Sequence, residues 1–196
     1  LMQGLAAPLV LAGLARPARA VLSAHLAEPH MRLAGSGAAP RVALTLDACD
    51  GHADRRILDL LLSERIAATI FVAGPWLARN PDAFAQLLAN PVLIEIGNHG
   101  ARHRAAIEDG EVLWGVRPAG SATGVEAEVR GGADLLMAAG APRPRWYRDA
   151  TARYSPGALA LIAGLGYRVA GFSLNADQGA SLGARAVRAR IAAADD

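Results

Sequence analysis

The sequence contains no lysine; all 20 of its basic residues are arginine. It has one cysteine, Cys49, and aromatic residues make up only 5% of its 196 positions. Each shortage removes a class of explanation. A single thiol forms no intrachain disulfide, so the chain is not a disulfide-stapled scaffold. With so few rings there is no extended stacking platform, and most of Trp76, Trp114, Trp146, Tyr147 and Tyr154 read as core. The 18 acidic residues leave a net charge of +2, so no strong field draws the chain to nucleic acid or an anionic membrane surface. The N-terminal apolar run, Leu5 to Ala15, is about eleven residues, whereas a bilayer span takes ~20. Stable membrane insertion is therefore not expected, and no feature fixes an oligomeric state.

What is present describes a folded domain. Hydrophobic residues make up 53% and charged residues 19%, a globular balance at a length typical of one domain. The run Leu5 to Ala15, followed by Ala18-Arg19-Ala20, fits a signal peptide with a small-x-small cleavage site. That predicts residues 1–20 as a signal and an exported, periplasmic or extracellular, protein. The chain starts at Leu1 with no basic stretch before the run, which reads as a fragment lacking its first residues. Residues 21–41 carry proline, glycine and serine and read as a linker. The domain proper is expected over 42–196.

From residue 42 short apolar runs alternate with helical patterns. Val42 to Leu46, Ala68 to Ala73, Val92 to Ile96, Arg145 to Arg148 and Tyr167 to Leu174 read as strands. Helices are predicted over 54–66, 81–88, 121–139, from Ser155-Pro156 to Gly164 or Gly166, and over 183–194. Gly74-Pro75 reads as a turn. Strands spaced by helices predict an α/β fold with a parallel sheet. Asp47, His99, Arg148 and Asp177 each fall just after a strand, at the sheet edge where α/β proteins gather their chemistry.

His99 and His103 stand at an i, i+4 spacing, which on a helix would place both on one face. With a carboxylate they would form a His₂Asp metal set with one position open to water. A second carboxylate would serve as general base. Asp47 and Asp50 supply one of each. The spacing alone also fits an ordinary loop, and Asp50-Gly51 an ordinary turn.

These segments resemble the polysaccharide deacetylases, the NodB-homology group of carbohydrate esterase family four. Leu44-Thr45-Leu46-Asp47-Ala48-Cys49-Asp50-Gly51 looks like the first motif of that family, Thr-Phe-Asp-Asp-Gly. Asn98-His99-Gly100-Ala101-Arg102-His103 is similar to the second, His-Ser/Thr-x-x-His. Arg145-Trp146-Tyr147-Arg148 resembles the third, and Ser173-Leu174-Asn175-Ala176-Asp177 the fourth. The resemblance implies a distorted (β/α) barrel and a divalent metal, usually zinc. It implies hydrolysis of N- or O-acetyl groups on a polysaccharide or related carbohydrate. His99, His103 and Asp50 would be ligands and Asp47 the base. Arg148 would tune Asp47 through a bidentate pair, Asp177 would hold Arg148, and Trp146 and Tyr147 would face the acetylated glycan.

The sequence also departs from that pattern. The adjacent Asp-Asp is replaced by Asp47-Ala48-Cys49-Asp50, and alanine ligates nothing. Cys49 is a possible soft ligand, though a small buried residue beside the site is the readier reading. The third motif lacks its Pro-Tyr-Gly continuation. A fifth motif, Leu-x-His with a general acid, is expected on a further strand after Asp196, so the barrel is expected to lack its last strand and helix. Two alternatives stay open: a relative that binds glycan or metal without turnover, and an amidohydrolase acting on a non-sugar C–N bond.

Overall fold

The chain is described here by a computed structural model covering residues 26–33 and 41–194. The expected signal peptide, 1–20, lies outside the described residues. Among them, no helix is long and apolar enough to cross a membrane.

Among the described residues five parallel strands form one sheet in sequence order: β1 (Leu44–Ala48), β2 (Ala68–Val72), β3 (Ile94–Asn98), β4 (Trp146–Tyr147) and β5 (Arg168–Val169). The helices are α1 (Arg55–Ser63), α2 (Gly74–Arg79), α3 (Pro81–Leu88), α4 (Ala122–Ala138), α5 (Pro156–Gly164) and α6 (Ala184–Ala192). This is the expected α/β architecture. Among the described residues β1 and β5 do not pair, so the barrel is not closed.

Local chemistry explains the boundaries. Asp54 caps α1 by accepting from the Arg56 N–H, and Ser121 and Ser155 cap α4 and α5 through Gly124 and Ala158. Gly74-Pro75, expected as a turn, instead opens α2. Proline fits the first helical turn because its missing N–H would have no partner there. β1 and β3 each begin two residues later than expected. Val42 and Val92 are 90% and 86% exposed; they are apolar without being core. The strand expected over 167–174 shrinks to two paired residues.

Two clusters fill the interior. Leu58, Leu61, Ile70, Val72, Trp76, Phe84, Leu87, Ile94 and Ile96 pack between the first three strands and α1–α3. Val125, Val129, Ala133, Tyr147, Tyr154, Ala158 and Ile162 join α4 and α5 to β4. Residues 26–33 lie against this second region. Ala27 pairs with Tyr154 in both directions, Met31 N–H donates to Phe172, and Glu28 forms an ion pair with Arg153.

A candidate metal centre at the strand ends

Side chains alternate faces along a strand, and the register fixes which ones share a face. Asp47 of β1 is opposite Phe71 of β2, and Phe71 is opposite Gly97 of β3. Two residues further on, Cys49, His99 and Arg148 continue that face beyond β1, β3 and β4.

Arg148 is only 3% exposed. Its guanidinium lies over the Phe71 ring, 4.3 Å from the centroid. Gly97 has no side chain, and the ring of Phe71 fills the space a Cβ would need. Across this gap Nη1 donates to Thr45 Oγ1 and Asp47 Oδ1, both at 2.9 Å. Nε and Nη2 donate to the carbonyls of Ala170 and Gly171. The Asp47–Arg148 pair is thus one hydrogen bond, not the bidentate fork expected, because the other guanidinium nitrogens are taken by backbone. None of Arg148's hydrogen bonds among the described residues goes to Asp177, contrary to expectation. Asp177 instead receives the Gly179 N–H in its own turn.

The main chain of Arg148 reaches the second motif. Its N–H donates to Asn98 O, and its carbonyl lies 2.7 Å from His99 Nδ1. A carbonyl only accepts, so Nδ1 carries a hydrogen, and in the neutral ring the lone pair is on Nε2. That lone pair faces Cys49 Sγ at 3.6 Å. A backbone partner that fixes tautomer and ring orientation is a recurrent support for a metal-binding histidine.

His103 arrives by a different route than the spacing suggested. The segment is not helical: Gly100 has φ +92° and His103 φ +58°. The second value is left-handed backbone that a non-glycine residue rarely adopts. Glu128 holds the loop in place. Its carboxylate accepts from Arg102 N–H at 2.8 Å and Arg104 N–H at 3.0 Å, and its carbonyl accepts from Ala101 N–H. α4 comes this close because Gly132 leaves no side chain against Asn98 and Gly100. The rings of His99 and His103 end 5.0 Å apart, centroid to centroid.

Ligand atoms of Cys49, His99 and His103 all lie within 4.8 Å of one another. Asp50, expected as the third ligand, is exposed and outside this set. The loop that carries it is pinned by Asn80, whose amide accepts from Ala53 N–H and donates to Gly51 O. The trio suits a metal. His103 Nε2 is buried with no hydrogen-bond partner, and imidazole with thiolate is a donor set that zinc accepts. Burial, then the neighbouring His99, pushes His103 down to about 4, against the pull of Asp50 and Asp47. It is therefore neutral, with a lone pair free, at physiological pH. Burial, then Asp47, Asp50 and Asp177, pushes the Cys49 thiol up to about 12. A cation at that spot reverses this electrostatic balance.

Of the two aromatics expected to face a sugar, Tyr147 needs correction. Tyr147 is fully buried in the second cluster and has no surface to offer a sugar. Trp146 stacks beneath the Arg168 guanidinium. Trp114, read as core, is 70% exposed.

Two contributors, Glu128 and Asp149, are missing from the sequence expectations, while Cys49 stands among them only as a possible soft ligand. Glu128 reads as solvated surface, yet is 3% exposed. It sits on the stripe Val125, Val129, Gly132, Leu136 that α4 buries, and that stripe was the available signal. Asp149 is buried and accepts from Ala106 N–H and Thr151 N–H. Burial pushes it up to about 7, against those hydrogen bonds.

The profile of one family, described as polysaccharide deacetylase, matches residues 34–170. No curated protein matches the chain. Among solved structures, a family 4 carbohydrate esterase from Streptomyces lividans, in complex with acetate, is 17% identical with a TM-score of 0.60. The match covers 79% of this chain and 74% of that one. A CE4 family pseudoenzyme from Bacillus anthracis is 15% identical with a TM-score of 0.59, covering 76% of this chain and 50% of that one. A mutant of that pseudoenzyme with restored enzymatic activity is 17% identical with a TM-score of 0.60, covering 76% and 51%. At these identities the likeness is one of fold. This chain spans about half the length of the pseudoenzyme.

Proposed function

The chain belongs to the polysaccharide deacetylase family, and from that premise we propose that it is a metal-dependent hydrolase removing N- or O-acetyl groups from a carbohydrate. The observation that carries the reading is the meeting of an Arg-held carboxylate, Asp47, with a cluster of metal donors on one sheet face. A divalent metal held at His99 and His103 would supply Lewis-acid chemistry, polarising the acetyl carbonyl and making water acidic near neutral pH.

The protein's own groups do the rest. Arg148 engages Asp47 through Oδ1, which leaves Oδ2 to take the proton of the attacking water as general base. The buried guanidinium fixes the direction from which that proton is taken. His99 is held in one tautomer by the Arg148 carbonyl, and Glu128 holds the loop that presents His103. Asp177 adds negative charge near the thiol without a direct contact. Export to the periplasm or outside the cell suits a glycan substrate, and the sequence of residues 1–20 supports it.

The test is deacetylation of a chitooligosaccharide and of an acetylated sugar ester, with zinc removed and restored. Activity that disappears on chelation, returns with zinc and falls ~10²–10⁴-fold in Asp47→Asn supports the reading. Zinc binding without turnover on either substrate would overturn it in favour of a non-catalytic relative, the reading that Ala48 in the first motif favours. Turnover only of a non-sugar amide would point to the amidohydrolase.

A further inference from the structure

Cys49 is the only cysteine in the chain, and the fold delivers it to the two histidines. Strand alternation explains why. Ala48 points to the opposite face and packs against the α1–α3 cluster. On the histidines' face lie Thr45 and Asp47 of β1 and Cys49 just beyond its end. Asp47 is taken by Arg148, so Cys49 is the remaining donor. Its Sγ lies 3.6 Å from His99 Nε2, and His103 Nε2, in the same cluster, has no hydrogen-bond partner.

We infer that Cys49 binds the metal as a thiolate, completing a Cys-His-His centre that selects borderline-soft cations such as zinc over hard ones such as magnesium or manganese. The inference rests on the reading that this site holds a metal, and sharpens it by naming the third donor. Binding forms a metal–sulfur bond, and the thiol proton passes to solvent; nothing is oxidised or reduced. A thiolate carries the same charge as the carboxylate it would replace. The total charge of the centre is therefore kept while its softness changes. Asp50 stays outside the first ring of donors.

Cobalt(II) is the probe, because a cobalt–thiolate bond gives a near-ultraviolet charge-transfer band that nitrogen and oxygen ligands do not. The full chain is titrated with cobalt, then with zinc and with magnesium. The inference expects one equivalent of cobalt, the charge-transfer band, displacement by zinc and none by magnesium. Cys49→Ser should lose the band and weaken zinc binding by on the order of 100-fold or more, at least the effect of losing a supporting outer-shell group. Cys49→Asp should bind cobalt without the band and narrow the preference for zinc over manganese. Cobalt bound by the native chain without the band would overturn the thiolate assignment and leave the metal reading standing. Failure to bind cobalt and zinc at all would overturn both. If Cys49→Ser does not fold, the native protein decides: X-ray absorption of the zinc form should show sulfur at about 2.3 Å, and a shell of nitrogen and oxygen alone refutes the inference.

Discussion

The two halves of the sheet hold their parts of the site by different means. β1, β2 and β3 are five residues each, in unbroken parallel register. β4 and β5 are two residues each, and β3 meets β4 at a single register pair, Asn98 with Tyr147. Asp47, Cys49 and His99 ride on the long ladders. Arg148 belongs to the short ones, yet it is the more completely buried partner of Asp47. Where the ladder is short, side-chain hydrogen bonds and the Phe71 ring do the locating. Among the described residues two ion pairs join the halves, Asp47–Arg148 and Glu95–Arg145, at 2.9 and 2.8 Å. Their lengths are alike; their surroundings are not.

The comparison is broken most directly at Arg148. Arg148→Met strands the carbonyls of Ala170 and Gly171 and frees Asp47, and should cost roughly 3 kcal/mol in a denaturant titration. A loss below about 1 kcal/mol would mean the short ladders suffice alone. Next is Glu128 of α4, set against Glu126 on the same helix. Glu128→Ala removes the shared acceptor of two part-buried N–H groups and should cost about 1–3 kcal/mol. Glu126→Ala loses only an exposed i, i+4 pair with Arg130 and should cost no more than about 0.5 kcal/mol. Equal effects would place the His99–His103 loop under some other control.

Asp149 sharpens the contrast between the halves, because among the described residues it has no cation partner where Asp47 has Arg148. The folded protein holds its proton up to about pH 7, and the unfolded chain only to about pH 4. The stability that proton contributes is full below about pH 4 and is lost as pH rises through about 7. Asp149→Asn does not titrate. Its melting temperature should therefore decline less than the native protein's between about pH 5 and about pH 8. Parallel declines would contradict the upward shift. The smallest effect belongs to Arg145→Ala. It breaks a pair whose arginine is 77% exposed and should cost under about 1 kcal/mol by thermal melting.

The parallel α/β order was legible because buried strands and amphipathic helices leave strong periodic signals. The ends of β1 and β3 were less so, since Val42 and Val92 extend the apolar runs into solvent. His99 and Asp47 were readable as strand-end residues. Cys49 was readable only as a possible soft ligand, because its facing depends on which side β1 turns toward β3, and a face assignment slips with a single residue of register. Glu128 was hidden for a related reason: its partners are backbone N–H groups of a distant loop, which no side-chain pattern announces. Tyr147 misled because an aromatic beside Arg148 looks the same in a motif whether it faces a sugar or the core.

Arg148 touches the centre twice, by its main chain at His99 and by its guanidinium at Asp47. The first grip is indifferent to the side chain; the second depends on it entirely. A single substitution at this residue therefore releases the Asp47 carboxylate while the main-chain contact to His99 stays in place, so the two halves of the site come apart at one position.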